Sequence, residues 1–426
     1  MKPRTSNNLK ILLSTLIFLS GCGAVSEGQR TSPSLRSVFD HRVSAEEPAV
    51  LKSDASLTEI LAYGAAVNEG LKGAFLQWRA AADRIPQAAG FPDPRFGYAY
   101  FLQEVETRVG PQRHKISLSQ GIPGMGKLGA KEELARRRAA IKEAEYEKAR
   151  TDLYRHIRLV YANYYFKTRH KAITLKNLER LQALEPVVTT AYKTGVTPYA
   201  ALLRVQMRIS KETEILRTVE DSLVKAAFEM NALLNRPGSS ALPTPELPPI
   251  PDMPTLEDEA ALRALLRQSN PNLVILKRKM AAAGAMENLA GKLDNPDFML
   301  GADWVVTDES EMNVDDNGKD PLMFMVSFNI PLYRDKYNAA VKAARSSLRA
   351  VTHKHRENEN LLTAGLQSLL TDAAAAGRRI RLHDEDLLPK ARQAFEVART
   401  AFKTGKAEYL QMLDALQLMF DLELAR

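Results

Sequence analysis

Side chains with metal-binding oxygens cluster in one short stretch, NVDDNGKD at residues 313–320. Oxygen ligands at alternate positions with a glycine among them are typical of a calcium loop, but the bidentate Glu expected at position twelve is replaced by Phe324. The stretch is better interpreted as an acidic loop. His353 and His355 are two positions apart and face different sides of a helix, so they do not form a ligand pair. Because the sequence also shows no nucleophile–base constellation and no phosphate loop, we predict no enzyme activity, no cofactor and no metal site.

The single cysteine, Cys22, is the residue with the clearest predicted chemistry. A basic start and a short apolar run precede Leu-Ser-Gly-Cys, which resembles a bacterial lipobox. We therefore predict a signal peptide at residues 1–21 and lipidation of Cys22, with a chance cysteine near the cleavage site as the alternative. Gly23 follows in place of Asp, which in such lipoproteins indicates the outer membrane. One lipid chain anchors a protein only weakly, so stable attachment implies several chains or further membrane contact.

The composition is that of an ordinary folded protein with a basic balance. The 426 residues are 45% hydrophobic and 26% charged, with a formal net charge of +8. Basic residues alternate with Glu along helical stretches, and no nucleic-acid-binding motif accompanies them, so we predict no nucleic-acid partner. No segment after the signal peptide has the ~20 apolar residues of a membrane-spanning helix.

The chain contains an internal repeat. AYKTGVTPY at residues 191–199 returns as AFKTGKAEY at residues 401–409, an offset of 210 positions. Asn68 matches Asn270 at an offset of 202, and the Ile-Pro pair at residues 122–123 matches residues 330–331 at 208. Ordered landmarks with a slowly growing offset indicate two copies of one structural unit.

Each unit begins with an Ala-rich helix, near residues 57–85 and 256–291, and continues with two strands. Residues 95–106, 113–122, 297–306 and 321–331 alternate apolar and small or polar side chains, which is the strand pattern. This pattern fits both lipid-facing barrel strands and a half-buried soluble sheet. A membrane-crossing form would have to be a closed barrel. The candidate lipid-facing side chains are Phe96, Tyr98, Tyr100, Phe298, Leu300, Trp304, Phe324 and Phe328.

A long helix follows in each unit, from about residue 127 to 194 and from about residue 336 to 404. About 65 residues would extend roughly 100 Å. Pro186, Gly365 and Pro389 predict kinks or breaks. After each Gly turn the chain runs back as a coiled-coil helix, so the strands lie at one end of a helical hairpin and the turn at the other.

The predicted organisation follows from these elements. It comprises a signal peptide (residues 1–21), an N-terminal tether (22–55), a first repeat (56–236), a Pro-rich linker (237–255) and a second repeat (256–426). The first return helix runs about 38 residues and the second only about 20. We therefore expect either a truncated chain or an incomplete wall near the middle of the second hairpin.

The order, spacing and duplication of these motifs resemble the TolC-like outer-membrane efflux protein family, in its lipoprotein branch. The pieces that carry the resemblance are YKTGVTPYAALLRVQ, FKTGKAEYLQMLDALQLMFDLELA, NPNLVIL, SFNIPLY and NALLNRP. The resemblance implies a mainly α fold of long coiled-coil hairpins with four β-strands that close a 12-stranded barrel only as a homotrimer. It also implies that the barrel lies in the outer membrane, surrounded by lipid. Such a protein would passively export small molecules or metal ions together with a periplasmic adaptor and an inner-membrane pump.

The resemblance places functions at the hairpin turns and just beyond the second one. The turns would dock the adaptor and close the tunnel, through Lys193, Thr194, Gly195, Lys403, Thr404 and Gly405; they could equally serve only to reverse the chain. Asp414 would form a carboxylate ring at the tunnel constriction. Gln411 stands where many members of the family have a second acidic residue. An exposed Asp on a coiled-coil flank is the structural alternative.

Two other functions compete with an export duct. One is a peripheral outer-membrane lipoprotein whose coiled coils act as a scaffold, without a pore. The other is a periplasmic adaptor, which should carry a single hairpin flanked by β-domains, whereas this chain has two hairpins. The exported substrate is not predictable from the sequence.

Overall fold

The computed structural model describes residues 51–246, 258–312 and 314–426. The chain is mainly helical and carries one four-stranded sheet, so the predicted mainly α fold with four β-strands is confirmed. Cys22, the signal peptide, most of the tether and part of the Pro-rich linker lie outside the described residues. None of the helices in the described ranges combines the length and the apolar character that a membrane-spanning helix requires.

The same sequence of elements occurs twice. The first half contains α1 (Leu57–Val67), α2 (Glu69–Ala89), β1 (Arg95–Val105), β2 (Gln112–Ile122), α3 (Lys127–Lys193) and α4 (Tyr199–Leu233). The second half contains α5 (Glu259–Ser269), α6 (Pro271–Ala290), β3 (Phe298–Thr307), β4 (Leu322–Phe328), α7 (Arg334–Leu382), α8 (Leu388–Lys403) and α9 (Tyr409–Ala425). A π-helical turn, His383–Leu387, joins α7 to α8.

The first helix of each half, predicted as one piece, is divided in two by an asparagine. Asn68 ends α1, and its side-chain Oδ1 accepts a hydrogen bond from the Leu71 N–H at the start of α2. Asn270 does the same between α5 and α6, accepting from the N–H groups of Asn272 and Leu273. An Asn side chain replaces the helical partner of these N–H groups, so a new helix starts at each asparagine.

Of the three breaks predicted in the long helices, the one at Pro389 coincides with an irregularity and the other two do not. α3 continues through Pro186, and α7 continues through Gly365 without interruption. The irregularity in the second hairpin is the π-helical turn at His383–Leu387, directly before Pro389 in the first turn of α8. Proline has no N–H to donate within a helix, so a shift in hydrogen-bond register beside it is expected.

The sheet is an antiparallel meander in the order β1-β2-β3-β4. Tyr98 pairs with Ile116, Ile116 with Trp304, and Ala302 with Phe324, so strands from the two halves meet at the β2–β3 pairing. At the junction with the helices, Asp297 Oδ1 accepts hydrogen bonds from the Gly124 N–H at 2.6 Å and the Lys127 Nζ at 2.9 Å. This links the start of β3 to the start of α3.

Two buried clusters hold the helices together. One surrounds Trp78 and Ile157, where α1 and α2 pack on α3, and it includes Leu234 beyond the end of α4. The other joins the two hairpins near their turns, and it combines Val188 and Val205 of the first hairpin with Leu416 and Phe420 of the second. The hairpins are thus packed side by side where the turns lie.

Candidate functional site

The two hairpin turns have the same backbone geometry. Gly195 has a φ of +72°, and Gly405 has a φ of +70°. The N–H of each glycine donates to the carbonyl three residues earlier, in Tyr192 and Phe402, at 3.0 Å. The next N–H donates to the carbonyl five residues earlier, at 2.8 Å in both turns. This is the Schellman motif, which needs a left-handed residue and therefore favours glycine.

The residue before each glycine completes the turn. The hydroxyl of Thr194 donates to the carbonyls of Thr190 and Ala191, at 3.0 and 3.2 Å. The hydroxyl of Thr404 makes the equivalent pair of bonds at 3.1 Å. Lys193 and Lys403 end their helices, where a cation is favoured by the helix dipole. The structure therefore brings the predicted tip residues together as two matching turns.

The aromatic residues beside the turns distinguish the two tips. Tyr192 and Tyr199 have ring centroids 5.3 Å apart and are 42% and 53% exposed. The equivalent rings, Phe402 and Tyr409, are 5.7 Å apart and only 7% and 3% exposed. The second tip is therefore buried against the first hairpin, while the matching face of the first tip is open in this chain.

A cavity of about 520 Å³ lies between the two tips. We call it the tip cavity; it is lined by Val196, Thr197, Pro198, Ala200, Ala201, Arg204, Phe402, Gly405, Lys406, Ala407, Glu408, Tyr409 and Leu410. Within the described part of the chain, the buried hydroxyls of Tyr409 and Thr197 have no hydrogen-bond partner. Burial raises the pKa of the Tyr409 hydroxyl to about 12, so this group keeps its proton at neutral pH.

A largely buried glutamate joins the two hairpins further from the tips. The Glu423 side chain on α9 is 11% exposed and lies 3.5 Å from Arg180 of α3 and 3.4 Å from Arg392 of α8. Arg180 also lies over the ring of Phe420, with its guanidinium 5.8 Å from the centroid. Neither this network nor the tip cavity is predictable from a short sequence motif. Comparing positions 210 apart would have shown that the two tips carry different side chains.

Asp414 and Gln411 lie on the exposed face of α9, opposite the buried side that contains Met412 and Leu416. Leu418, on the same exposed face, has 53% of its surface accessible. This face is therefore available to line a channel or to contact another chain.

The sheet has one strongly apolar face. Phe96, Tyr98 and Phe324 are between 59% and 72% exposed, although they are large aromatic residues. The predicted strand residues with at least 38% exposure are Phe96, Tyr98, Tyr100, Phe298, Leu300, Phe324 and Phe328; Trp304 is half-buried. The opposite face carries an ion pair between Lys115 and Asp303, at 2.8 Å. Such an uncovered apolar patch marks an interaction surface.

The acidic stretch between β3 and β4 uses its Asp320 internally. Asp320 accepts hydrogen bonds from the Trp304 indole at 3.0 Å and from the Thr307 N–H at 2.8 Å. Gly318 donates its N–H to the Val109 carbonyl at 2.7 Å, so this loop packs on the β1–β2 loop. Within the described residues of the stretch, Asp320 stabilises the loop through these contacts.

A model of the family described as "Outer membrane efflux protein" matches residues 262–425. The match lies in the second half of the chain, from α5 to α9. No curated protein sequence matches it. Solved structures show the same fold over most of the chain. The outer membrane protein VceC from Vibrio cholerae has a TM-score of 0.70 at 17% identity, over 87% of this chain and 91% of VceC.

Two further solved channels have a similar fold. The outer-membrane channel OprN has a TM-score of 0.70 at 15% identity, with 90% of each chain covered. The Campylobacter jejuni CmeC outer membrane channel has a TM-score of 0.67 at 14% identity, over 90% of this chain and 86% of CmeC. At 14–17% identity these structures show a shared fold, and the family match is confined to residues 262–425.

Proposed function

We propose that this protein is the outer-membrane duct of a tripartite export system, through which substrates pass passively from an inner-membrane pump. The proposal rests on α3, which separates the apolar sheet from the hairpin turns. This helix begins at Lys127 beside the sheet and ends at Lys193 in the first tip. Its 67 residues extend about 100 Å. An apolar sheet thus lies at one end of the hairpins and two matched polar turns at the other.

The sheet supports assembly with further copies of the chain. β1 and β4 each pair with one neighbour in the described part of the chain, which leaves two sheet edges available. Four strands cannot close a barrel alone, whereas three copies joined β4 to β1 would supply twelve. Closure would satisfy the edge hydrogen bonds and turn the apolar face, from Phe96 to Phe328, towards outer-membrane lipid.

The hairpins support the same assembly independently. The second hairpin buries Phe402 and Tyr409 against the first, whereas the equivalent Tyr192 and Tyr199 are exposed. Because the two hairpins share one geometry, a second hairpin from another copy fits over these tyrosines in the same way. Such head-to-tail contacts form a ring when the rotation closes. We propose a homotrimer in which first and second hairpins alternate.

The tips are the proposed docking site of a periplasmic adaptor, through Lys193, Thr194, Gly195, Lys403, Thr404 and Gly405. In a ring of three chains, six such turns surround one mouth of the duct. A partner could recognise the exposed lysines at the helix ends by charge complementarity and the turns by their fixed backbone geometry. Asp414 is the proposed constriction residue, with Gln411 one turn nearer the tip, because three carboxylates around a narrow opening favour cations.

The attachment to the membrane is proposed from the sequence. Lipidation of Cys22 after removal of residues 1–21 would add an anchor to the barrel, with the tether (22–55) leading to the first repeat. We keep residues 56–236, 237–255 and 256–426 as the proposed first repeat, linker and second repeat. The second candidate function is a peripheral lipoprotein scaffold, which the long hairpins would also suit.

Conductance of the purified full chain in planar lipid bilayers tests the duct. A trimeric sample is expected to open stable pores, whereas a scaffold lipoprotein would be trimeric or monomeric without conductance. Phe324→Arg places a charge on the apolar sheet face, and it is expected to prevent insertion at a cost of about 2–4 kcal/mol. Met323→Arg, on the opposite face of the same strand, is the matched control. Absence of pores from a trimeric wild-type sample would overturn the proposed duct.

A further inference from the structure

The tip cavity is bordered by the starts of two helices. α4 begins at Tyr199 after Pro198, and α9 begins at Tyr409 after Glu408. Neither preceding residue makes a side-chain hydrogen bond to the helix it starts. Helix N-termini present unpaired N–H groups and the positive end of the helix dipole. Two such ends next to one cavity favour an anionic group there.

Side chains of the tip cavity add donors and positive charge. The hydroxyls of Tyr409 and Thr197 are buried and lack a partner among the described residues. Arg204 and Lys406 line the same cavity, and within the described ranges neither makes an ion pair. Glu408 is the one lining carboxylate, so the lining side chains carry a net charge of about +1 at neutral pH. Burying a hydroxyl without a partner is unfavourable, which a ligand with acceptor oxygens would relieve.

The cavity also has an apolar part. Val196, Phe402 and Leu410 line it together with the alanines at residues 200, 201 and 407. A ligand that suits the whole cavity therefore has an aliphatic stem and an anionic head. A glutamate side chain has this composition, and a volume of about 520 Å³ leaves room for its neighbours.

We propose that the tip cavity binds an acidic side chain of the partner that docks on the tips, with Arg204 and Lys406 as its cationic contacts and Tyr409 and Thr197 as hydrogen-bond donors. This inference rests on the proposed docking of an adaptor at the tips. It adds which chemistry the partner presents and where on the chain it is bound.

The equivalent cavity between two copies of the chain would be lined by different side chains. At an offset of 210, Asp414 corresponds to Arg204, and Ala407 corresponds to Thr197. A cavity formed between the second hairpin of one copy and the first hairpin of the next would thus have a carboxylate in place of the Arg204 cation, while Thr197 and Ala407 would only exchange places. The acidic side chain is therefore expected once per chain, in the cavity within the chain.

The test begins in membranes of cells that contain the full chain and its partners. A photo-cross-linking amino acid replaces Val196, which is 65% exposed at the rim of the cavity, and identifies the docked protein. A carbodiimide then joins amines to carboxylates in direct contact in the wild-type protein. The expected product is a bond between Lys406 and a Glu or Asp side chain of that same docked protein, mapped by mass spectrometry.

Matched variants separate the cavity from general surface charge. Arg204→Glu should lower the photo-cross-linking yield about tenfold, as loss of a charge-assisted contact predicts. Arg217→Glu, the same change on an exposed position of α4 further from the tip, should leave the yield unchanged. Lys406→Arg keeps the charge but removes the amine, so it should abolish only the carbodiimide product. Tyr409→Phe keeps the buried ring and removes the unpartnered hydroxyl, so it should weaken docking without weakening folding.

The outcomes distinguish this inference from the function on which it rests. A captured helical-hairpin protein with no Lys406–carboxylate bond, or an unchanged yield with Arg204→Glu, overturns the acidic contact and leaves docking at the tips intact. Failure to capture any envelope protein at Val196 overturns docking at the tips and this inference together.

Discussion

Tyr199 and Tyr409 begin equivalent helices 210 positions apart, yet Tyr199 is 53% exposed and Tyr409 only 3%. The duplicated hairpins therefore share a fold but not an environment. Tyr409 belongs to the cluster that joins the two hairpins of one chain, and Tyr199 occupies the corresponding place on the outer face of the first hairpin. The difference defines which contacts stabilise a single chain and which are left for another copy.

Alanine substitutions at these two tyrosines should affect different properties, one the stability of the single chain and the other the assembly of copies. Tyr409→Ala removes a buried aromatic ring and should lower the free energy of unfolding by about 3–5 kcal/mol. Tyr199→Ala should leave the single chain folded and weaken the trimer, because its ring is open in the chain and covered only in the proposed ring. Thermal unfolding measures the first effect, and light scattering after gel filtration measures the second. An unchanged oligomer with Tyr199→Ala would contradict the proposed contact between copies.

The left-handed glycines of the tips should resist substitution although they have space around them. No atom lies within 4 Å of a Cβ built on Gly195 or Gly405, so an added methyl group meets no steric clash. The positive φ alone should make Gly195→Ala or Gly405→Ala destabilising by about 1–2 kcal/mol. Gly129, inside α3 and equally free of neighbours, is the matched control, and Gly129→Ala should stabilise the protein by about 0.5–1 kcal/mol.

Hydrogen exchange of the two tips measures these changes. Faster exchange in the last turn of α3 is expected for Gly195→Ala, and Gly195→Asn should restore part of the protection, since Asn tolerates the left-handed region better than Ala. Equal effects of the Ala and Asn variants would show that the glycines do not act through backbone conformation.

Local patterns allowed most of the fold to be predicted from the sequence. The strands predicted at residues 95–106 and 297–306 agree with β1 and β3 to within one residue, because period-two alternation is a property of the strand itself. The positions of the turns followed from Gly195 and Gly405, since few other residues accept a positive φ. The divisions at Asn68 and Asn270 were missed, although an asparagine before a helix is a local signal.

The candidate site depends on features that no short motif contains. The tip cavity combines Thr197 with Tyr409, which are far apart in sequence and meet because the hairpins pack side by side. The Glu423 network likewise joins Arg180 to Arg392 across two hairpins. Burial of such groups is set by tertiary packing, so the repeat predicts equivalent positions but not their different environments.

Acid should loosen the junction between the sheet and the helices. Burial alone would raise the pKa of Asp297, but hydrogen bonds from Lys127 and the Gly124 N–H outweigh it and lower this pKa below its ordinary value of 3.8. A lowered folded-state pKa means that the carboxylate stabilises the protein above its unfolded pKa. This contribution is lost as the pH falls through the folded value, below about pH 4. After correction for the pH dependence of intrinsic amide exchange, the protection of residues 122–127 should therefore fall as the pH drops below about 4, where this group titrates.

Replacing Asp297 should loosen the same junction at neutral pH. Asp297→Asn leaves the Lys127 ammonium, whose side chain is 8% exposed, without its carboxylate, and should cost about 1–3 kcal/mol. Asp294→Asn removes an exposed carboxylate nearby and should have no effect on unfolding or on the acid response. Retention of the acid response in Asp297→Asn would assign it to another group.

The charge at the proposed constriction can be changed in both directions on one face of α9. Asp414→Asn removes a carboxylate from each chain and should reduce the preference of the pore for cations over anions. Gln411→Glu adds one and should increase this preference, because carboxylate rings attract cations and exclude anions. The reversal potential across a salt gradient in planar bilayers measures both. Asp372→Asn, an exposed carboxylate on α7, serves as the control. Equal reversal potentials for all three variants and the wild type would show that Asp414 and Gln411 do not face the narrowest part of the duct.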